Sequence, residues 1–302
     1  MKPVPLPAPV ASGATLGVVA PAGSAGLQWV DQVEGWLQGA GFRARVYPGC
    51  RERDRYLAGA DTRRLEDLHA AFADPAVDAV VCLRGGYGCA RLLDRIDHDL
   101  IERHPKPFLG YSDITVLHVA FTQLCGFATW HAPMLSSDLL RDGGDASRAG
   151  WLAALTERWD RGRVLPHGDA ALQTWVPGTV QGPLVGGNLA TLCSLLGTPW
   201  AVDTRGAILF LEDVGEDLYK LDRLLTQLRL AGALQAAAGF VVGSFSDTPG
   251  GDDPLPLIAS FLCPLGKPVL AGWPAGHCTP HAPLPIGVGV EVDADGQSLV
   301  LA

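Results

Sequence analysis

Three short apolar runs alternate with two stretches of helical spacing between residues 14 and 88, an order that leaves few folds open. Ala14 to Pro21 reads Ala-Thr-Leu-Gly-Val-Val-Ala-Pro, a strand that must stop at its proline. Leu27 to Gly39 places Val30, Val33 and Leu37 on one helical face, and Phe42 to Tyr47 alternates as a second strand. Thr62 to Ala73 repeats the helical spacing with Leu65, Leu68 and Phe72. Ala79 to Leu83 is then a continuous apolar strand that ends on Arg84-Gly85-Gly86-Tyr87-Gly88. Strands that are apolar throughout and flanked by helices predict a parallel sheet covered on both faces. Ligands of such sheets gather beyond the carboxyl ends of the strands.

The next unit repeats the pattern: Pro107 to Tyr111 runs straight into Ser112, and Leu117, Phe121 and Leu124 are spaced as a helix face. Further on, the polar, Gly-rich segment that opens at Arg141 reads as a change of domain, which a chain of 302 residues makes the default. The expected division is 1–145 for an N-terminal domain, 146–172 for a linker and 173–302 for a C-terminal domain. Short strands are predicted at Val180 to Val185, Ala207 to Leu211, Gly239 to Ser244, Val269 to Ala271 and Val288 to Val292, with one firm helix over Asp217 to Ala231. The fold class is therefore α/β: an N-terminal parallel-sheet domain of flavodoxin or Rossmann type, plus a smaller, strand-rich α/β domain.

A net charge of −9 without a Lys/Arg cluster argues against a nucleic-acid partner and suits a small-molecule or peptide substrate. Seven cysteines, scattered singly, fit a reducing compartment. Met1 to Val10 holds four prolines and no apolar core of signal-peptide length, and no later run has the length of a membrane span. A cytoplasmic protein with no membrane contact is expected.

Four segments carry side chains suited to chemistry. In Gly110-Tyr111-Ser112-Asp113-Ile114, a strand-to-helix junction would present the Ser112 hydroxyl, and the Asp113 N–H could face an oxyanion. Ser112 or Asp113 as a plain helix cap explains the same residues, and the second glycine of a Gly-x-Ser-x-Gly elbow is lacking. The Arg84 to Gly88 loop could add a second N–H from Gly86, or be only a tight turn; it does not fit the dinucleotide fingerprint. Glu212 and Asp213 end an apolar strand, where a carboxylate either caps the next segment or faces a cleft and orients an imidazole. The loop Trp273 to His281 carries His277, Cys278 and His281 among prolines and glycines. Metal ligation there is discounted because no second ligand pair with short spacing exists. His131 could line a substrate pocket or be a hydrogen-bonded core histidine.

Taken in order, Arg84-Gly85-Gly86-Tyr87-Gly88, Gly110-Tyr111-Ser112-Asp113, Gly182-Pro183-Leu184-Val185 with Gly186-Gly187-Asn188-Leu189, Leu211-Glu212-Asp213 and Gly276-His277 resemble the S66 family of serine peptidases. That family includes the LD-carboxypeptidases of murein recycling and the microcin C immunity peptidases, and the resemblance spans nearly the whole chain. It implies Ser112 as nucleophile, His277 as base, Glu212 as the acid that orients it, and the amides of Gly86 and Asp113 as oxyanion hole. The choice of His277 over His281 rests on the family's Gly-His pairing. The resemblance further implies a homodimer that removes D-alanine from murein tetrapeptides with no metal or organic cofactor. Arg84 is a candidate for the D-alanine carboxylate, and Tyr87, His131 and Asn188 are further candidate substrate contacts. Two alternatives remain: an immunity peptidase acting on aminoacyl or peptidyl nucleotides, and a non-catalytic two-domain ligand-binding protein. A thiol amidotransferase would need cysteine where Ser112 stands.

Overall fold

The structure is a computed structural model describing residues 2–141 and 143–302. Strands β1 (Thr15–Val19), β2 (Arg43–Val46), β3 (Ala79–Cys82), β4 (Phe108–Gly110) and β5 (Thr129–His131) make a parallel sheet in the order β5-β4-β3-β1-β2. Every residue of β3 is buried, as a strand covered on both faces requires. Helices α1 (Leu27–Gly39), α2 (Asp61–Ala73), α3 (His98–Arg103), α4 (Thr115–Ala120) and α5 (Asp145–Thr156) supply the cover. Val81 and Leu109 pack with Val33 and Leu37 of α1 and Trp151 of α5. Their neighbours Val80 and Phe108 point the other way, to Phe72 of α2 and Leu117 of α4.

The second sheet uses β6 (Gln173–Val176), β7 (Thr179–Asn188), β8 (Ile208–Val214), β9 (Gly239–Ser246), β10 (Val269–Ala271), β12 (Gly289–Asp293) and β13 (Ser298–Leu301), with β11 (Leu284–Ile286) left out of it. Its order is β13-β12-β7-β8-β9-β10-β6, with β7 to β10 parallel in the middle and antiparallel strands at both ends. Strand β11 instead returns to the first sheet and pairs antiparallel with β5, Leu284 opposite His131. Helices α6 (Leu189–Ser194) and α7 (Leu218–Leu230) cover the inner face of β8, and one continuous core runs from Phe72, Phe108 and Leu117 to Leu189, Leu209 and Leu225. The two sheets are thus joined by buried apolar contact as well as by the β11 crossing.

Two sequence expectations are corrected here. The 146–172 segment is not a bare linker: it opens inside α5, whose Trp151 and Leu155 are fully buried against the first sheet. Leu124 does not join the face of Leu117 and Phe121 and is 44% exposed. After Ala120 the chain widens into a π-turn over Phe121–Cys125, which breaks the 3.6-residue phase before Gly126 ends it at φ 71°.

The carboxyl ends of both parallel sheets converge. Gly85 and Gly86 follow β3, Ser112 follows β4, Asn188 closes β7, and Glu212 and Asp213 lie near the end of β8. The Thr115 hydroxyl at the start of α4 accepts the Asn188 N–H at 3.0 Å and ties the two ends together.

Candidate active site

Ser112 has φ 65°, in the left-handed region that costs an L-residue roughly 1–2 kcal/mol. Its neighbours hold it there. The Ile114 N–H donates to the Tyr111 carbonyl at 3.2 Å, closing the turn, and Gly110 makes room for Ile114, whose Cγ2 would stand 2.9 Å from a Cβ at that position. Gly85 passes directly beneath: a Cβ on it would lie 2.9 Å from Ser112 Cβ and 3.1 Å from Oγ. The Asp113 carboxylate accepts the Cys89 N–H at 2.8 Å and draws the glycine loop toward the serine. Gly86, at φ 121°, and Asp113 line the same cleft as Ser112. Amides in the first turn of a helical segment have no intrahelical partner and are free to serve an anion. The sharp turn needs no second glycine, because Ser112 itself adopts the left-handed conformation.

Across the cleft, Glu212 is fully buried and its Oε2 receives His277 Nδ1 at 2.8 Å and the His277 backbone N–H at 3.3 Å. Gly276, at φ 108°, makes this approach feasible, since a Cβ there would stand 2.5 Å from Oε2. Burial pushes the Glu212 carboxyl up, but the His131 and His277 imidazoles beside it outweigh that and hold the group at about 2. For His277 burial pulls down and the Glu212 bond and charge pull up, with a net rise above the ordinary histidine value. With Nδ1–H committed to Glu212, Nε2 is left as the basic nitrogen. The Tyr111 ring, 4.8 Å from the His277 ring and anchored through its hydroxyl to Asp138 at 2.8 Å, fixes the imidazole plane.

Ser112, His277, Arg84, Gly86, Tyr87 and Asn188 all line one cleft of about 320 Å³. A larger cavity of about 500 Å³, between residues 4–9 and Trp159, contains none of them. Arg84 is held by Nε to the Gly85 carbonyl and by Nη1 to the Ser24 carbonyl, at 3.2 and 3.1 Å. Tyr87 is 72% exposed at the rim, edge-on to Tyr56. Asn188 caps α6, accepting from the Thr191 N–H at 3.0 Å, and donates to Asp213 at 2.8 Å. His131 departs from the expected substrate pocket. It is fully buried on an interior strand, flanked by β4 and β11, and faces Glu212 rather than the cleft. His281 is buried too, with Nε2 3.3 Å from His131 Nδ1, so the two loop histidines part company: His277 bonds Glu212 and His281 bonds His131.

Asp213, left by the sequence between a cap and a cleft carboxylate, accepts hydrogen bonds from Asn188 and from the Ala190 and Val214 N–H groups. Burial and the neighbouring Glu212 charge raise its carboxyl to about 6, against hydrogen bonds from Val214, Ala190 and Asn188. Tyr111 and Asp138 were missed as a clamp on the imidazole; no local pattern links residues 27 positions apart. Among the described residues, no group of three or more His, Cys, Asp or Glu side chains is arranged to hold a metal ion. No helix among them is long and apolar enough to cross a membrane.

A left-handed serine and a buried Glu–His pair, on the carboxyl ends of two sheets that share one cleft, are the side chains a serine-type hydrolase site requires. Residues 16–132 match the LD-carboxypeptidase N-terminal domain and residues 181–292 the LD-carboxypeptidase C-terminal domain, so the chain belongs to the S66 peptidase family of serine-type LD-carboxypeptidases. It is 39% identical to a probable murein peptide carboxypeptidase of Bacillus subtilis, over 96% of this chain and 92% of that one. The solved muramoyltetrapeptide carboxypeptidase of Oxalobacter formigenes superposes with a TM-score of 0.82 at 28% identity, covering 95% of this chain and 97% of that one. The microcin C7 self immunity protein MccF superposes at 0.90 over 99% of this chain and 98% of that one; its 24% identity establishes a shared fold.

Proposed function

We propose that the chain releases D-alanine from murein tetrapeptides by acyl transfer through Ser112, with His277 as base and Glu212 as the orienting acid. The observation that carries this reading is the Glu212–His277 pair at 2.8 Å in the cleft lined by a left-handed Ser112. His277 Nε2 takes the Ser112 proton as Oγ attacks the carbonyl carbon of the bond between the L-centre and D-alanine. The oxyanion meets the amides of Gly86 and Asp113. As the tetrahedral carbon collapses, His277 returns the proton to the amine of D-alanine, which leaves. Water, deprotonated by the same imidazole, then opens the acyl-enzyme and restores Ser112. Arg84 is the one guanidinium among the cleft-lining residues, and its two backbone anchors leave Nη2 for the D-alanine carboxylate. Glu216, in the same lining, offers a carboxylate to the side-chain ammonium of a diamino acid.

This reading carries with it a place in cytoplasmic peptidoglycan recycling and a homodimeric state, the latter to be checked by sedimentation. The reaction is tested by D-alanine release from a murein tetrapeptide with wild-type protein and Ser112→Ala. Release by wild type alone supports reaction and nucleophile together. Release by neither, with both folded, overturns the murein reading and makes peptidyl nucleotides the next substrates to try.

A further inference from the structure

The two oxygens of Glu212 are unequally served. Oε2 receives both the ring and the backbone N–H of His277, whereas Oε1 is buried with no hydrogen-bond partner among the described residues. Facing Oε1 at 3.8 Å is His131 Nε2, which is also buried and also lacks a partner. Two such buried groups left apart are costly, and an approach of about 1 Å would join them. Catalytic contacts are often loose in the resting enzyme and tighten only with substrate bound.

The His131 ring is set to make that approach. Its Nδ1 lies 3.3 Å from His281 Nε2, and His281 is itself fixed by a 2.9 Å bond from its backbone N–H to the Ser147 hydroxyl. The rings of Phe210 at 5.0 Å and Tyr111 at 5.6 Å stand nearly edge-on to it. Strand β11 presses on its backbone, pairing Leu284 with His131. His131 does not itself line the cleft, and its one polar approach toward the catalytic groups is to Glu212.

We propose that His131 is a positioning residue: donating through Nδ1 to His281 Nε2, which also accepts the Gly276 N–H, and carrying a proton on both ring nitrogens, it holds the second oxygen of Glu212 through Nε2–H, so that the first stays aimed at His277 through both proton transfers. A carboxylate bonded on one side only can turn about its last torsion as the imidazolium forms and discharges. A donor on the other oxygen removes that freedom. The arrangement also explains why a strand from the far end of the chain, β11, returns to close the first sheet beside β5. The inference rests on the Ser112–His277–Glu212 reading. The ionisable groups packed around Glu212 are His277, His131 and the adjoining Asp213, with His281, Tyr111 and Cys278 in the next layer.

The test compares His131→Phe, His131→Gln and His131→Asn with wild type and Ser112→Ala, following D-alanine release across pH. Phenylalanine removes the donor. Glutamine places an amide N–H near the Nε2 position, and asparagine reaches only the Nδ1 position. The expected result for Phe is a fall in kcat of about 10- to 100-fold with KM held within about twofold, as for a misplaced catalytic group. Without the donor, Glu212 is a stronger base and holds a proton on itself or on His277 more tightly. The acid limb of kcat, which reports the substrate complex in which the contact closes, should therefore move up by about one pH unit, the worth of a lost hydrogen bond. Asparagine should match phenylalanine, and glutamine should recover most of the loss in both readings. Equal behaviour of Gln and Asn, or a wild-type profile for Phe, overturns the role. If Phe fails to fold, the Gln and Asn pair still decides. Activity in Ser112→Ala would instead sink the underlying triad reading, which separates the two failures.

Discussion

On the first sheet's side of the cleft, Ser112 is held at φ 65° above two glycine positions; on the second sheet's side, Glu212 is fully buried among three histidines. The first side is built by backbone shape. Gly85 and Gly110 are vacant of Cβ where Ser112 and Ile114 need the space, and no ionisable group shapes the turn directly except Asp113, through its bond to Cys89. The second side is built by charge. Glu212 tolerates complete burial because imidazoles surround it, and His277 is raised because Glu212 is ionised. The difference predicts two kinds of variant: those on the shape side that lose rate at every pH alike, and those on the charge side that lose rate and change the pH profile as well.

Glu212→Gln should show the larger effect. It keeps the size of the side chain but removes the charge that fixes the His277 tautomer and stabilises the imidazolium, and kcat should fall about 10⁴-fold. The sign of the pH effect follows from the same charge. In the proposed role of base His277 must be neutral, so wild-type kcat/KM should rise along an acid limb centred above the ordinary histidine value of about 6.5. Without Glu212 the imidazolium loses its support, and the residual limb should shift to lower pH. A profile measured between about pH 5 and 9 checks both limbs. A Gln variant with an unmoved limb would break the contrast, for it would mean that shape alone sets the second side.

Gly85→Ala is the counterpart on the shape side. The new Cβ would stand 2.9 Å from Ser112 Cβ, and the adjoining Tyr111 carbonyl at 3.2 Å leaves little room to yield. The serine must move, and a displacement of about 1 Å costs on the order of 100-fold in rate. The acid limb should stay where wild type has it, because no charge near His277 has changed. A shifted limb in this variant would show that the glycine loop also sets the electrostatics of the far side.

How much could be read beforehand follows the same division. The shape side was legible where its causes are local: the apolar β3 and β4, the glycines after β3 and the serine after β4 stand together in the sequence. The φ of Ser112 was not, because nothing in Gly-Tyr-Ser-Asp requires a non-glycine residue to turn left; the room for it is left by Gly85, 27 positions earlier. On the charge side the apolar strand ending in Glu212 was plain, but its company was not. His277 and His281 share one Pro/Gly loop, and what separates them is the space at Gly276, which brings His277 alone onto Oε2. His131 stayed open between a pocket residue and a core histidine because three-residue β5 gives no sign of its surroundings, and β11, only Leu284–Ile286 with a central proline, gives no sign that it crosses to the other sheet.

The smallest effect sharpens the contrast most directly, since it is read in stability with activity already gone. Ser112→Ala and Ser112→Gly both lack the proposed nucleophile and should both be inactive, yet they differ by one carbon at a left-handed backbone position. Alanine keeps the Cβ and with it the conformational penalty; glycine releases it. Glycine also loosens the unfolded chain, which offsets part of the gain. The net expectation is that Ser112→Gly is more stable than Ser112→Ala by about 1 kcal/mol, seen as a higher denaturant midpoint at unchanged slope. Equal midpoints would mean that the turn carries no strain at Ser112 and that the first side of the cleft is held by something other than backbone shape. A glycine variant of lower stability would go further, showing that the serine side chain itself anchors the turn.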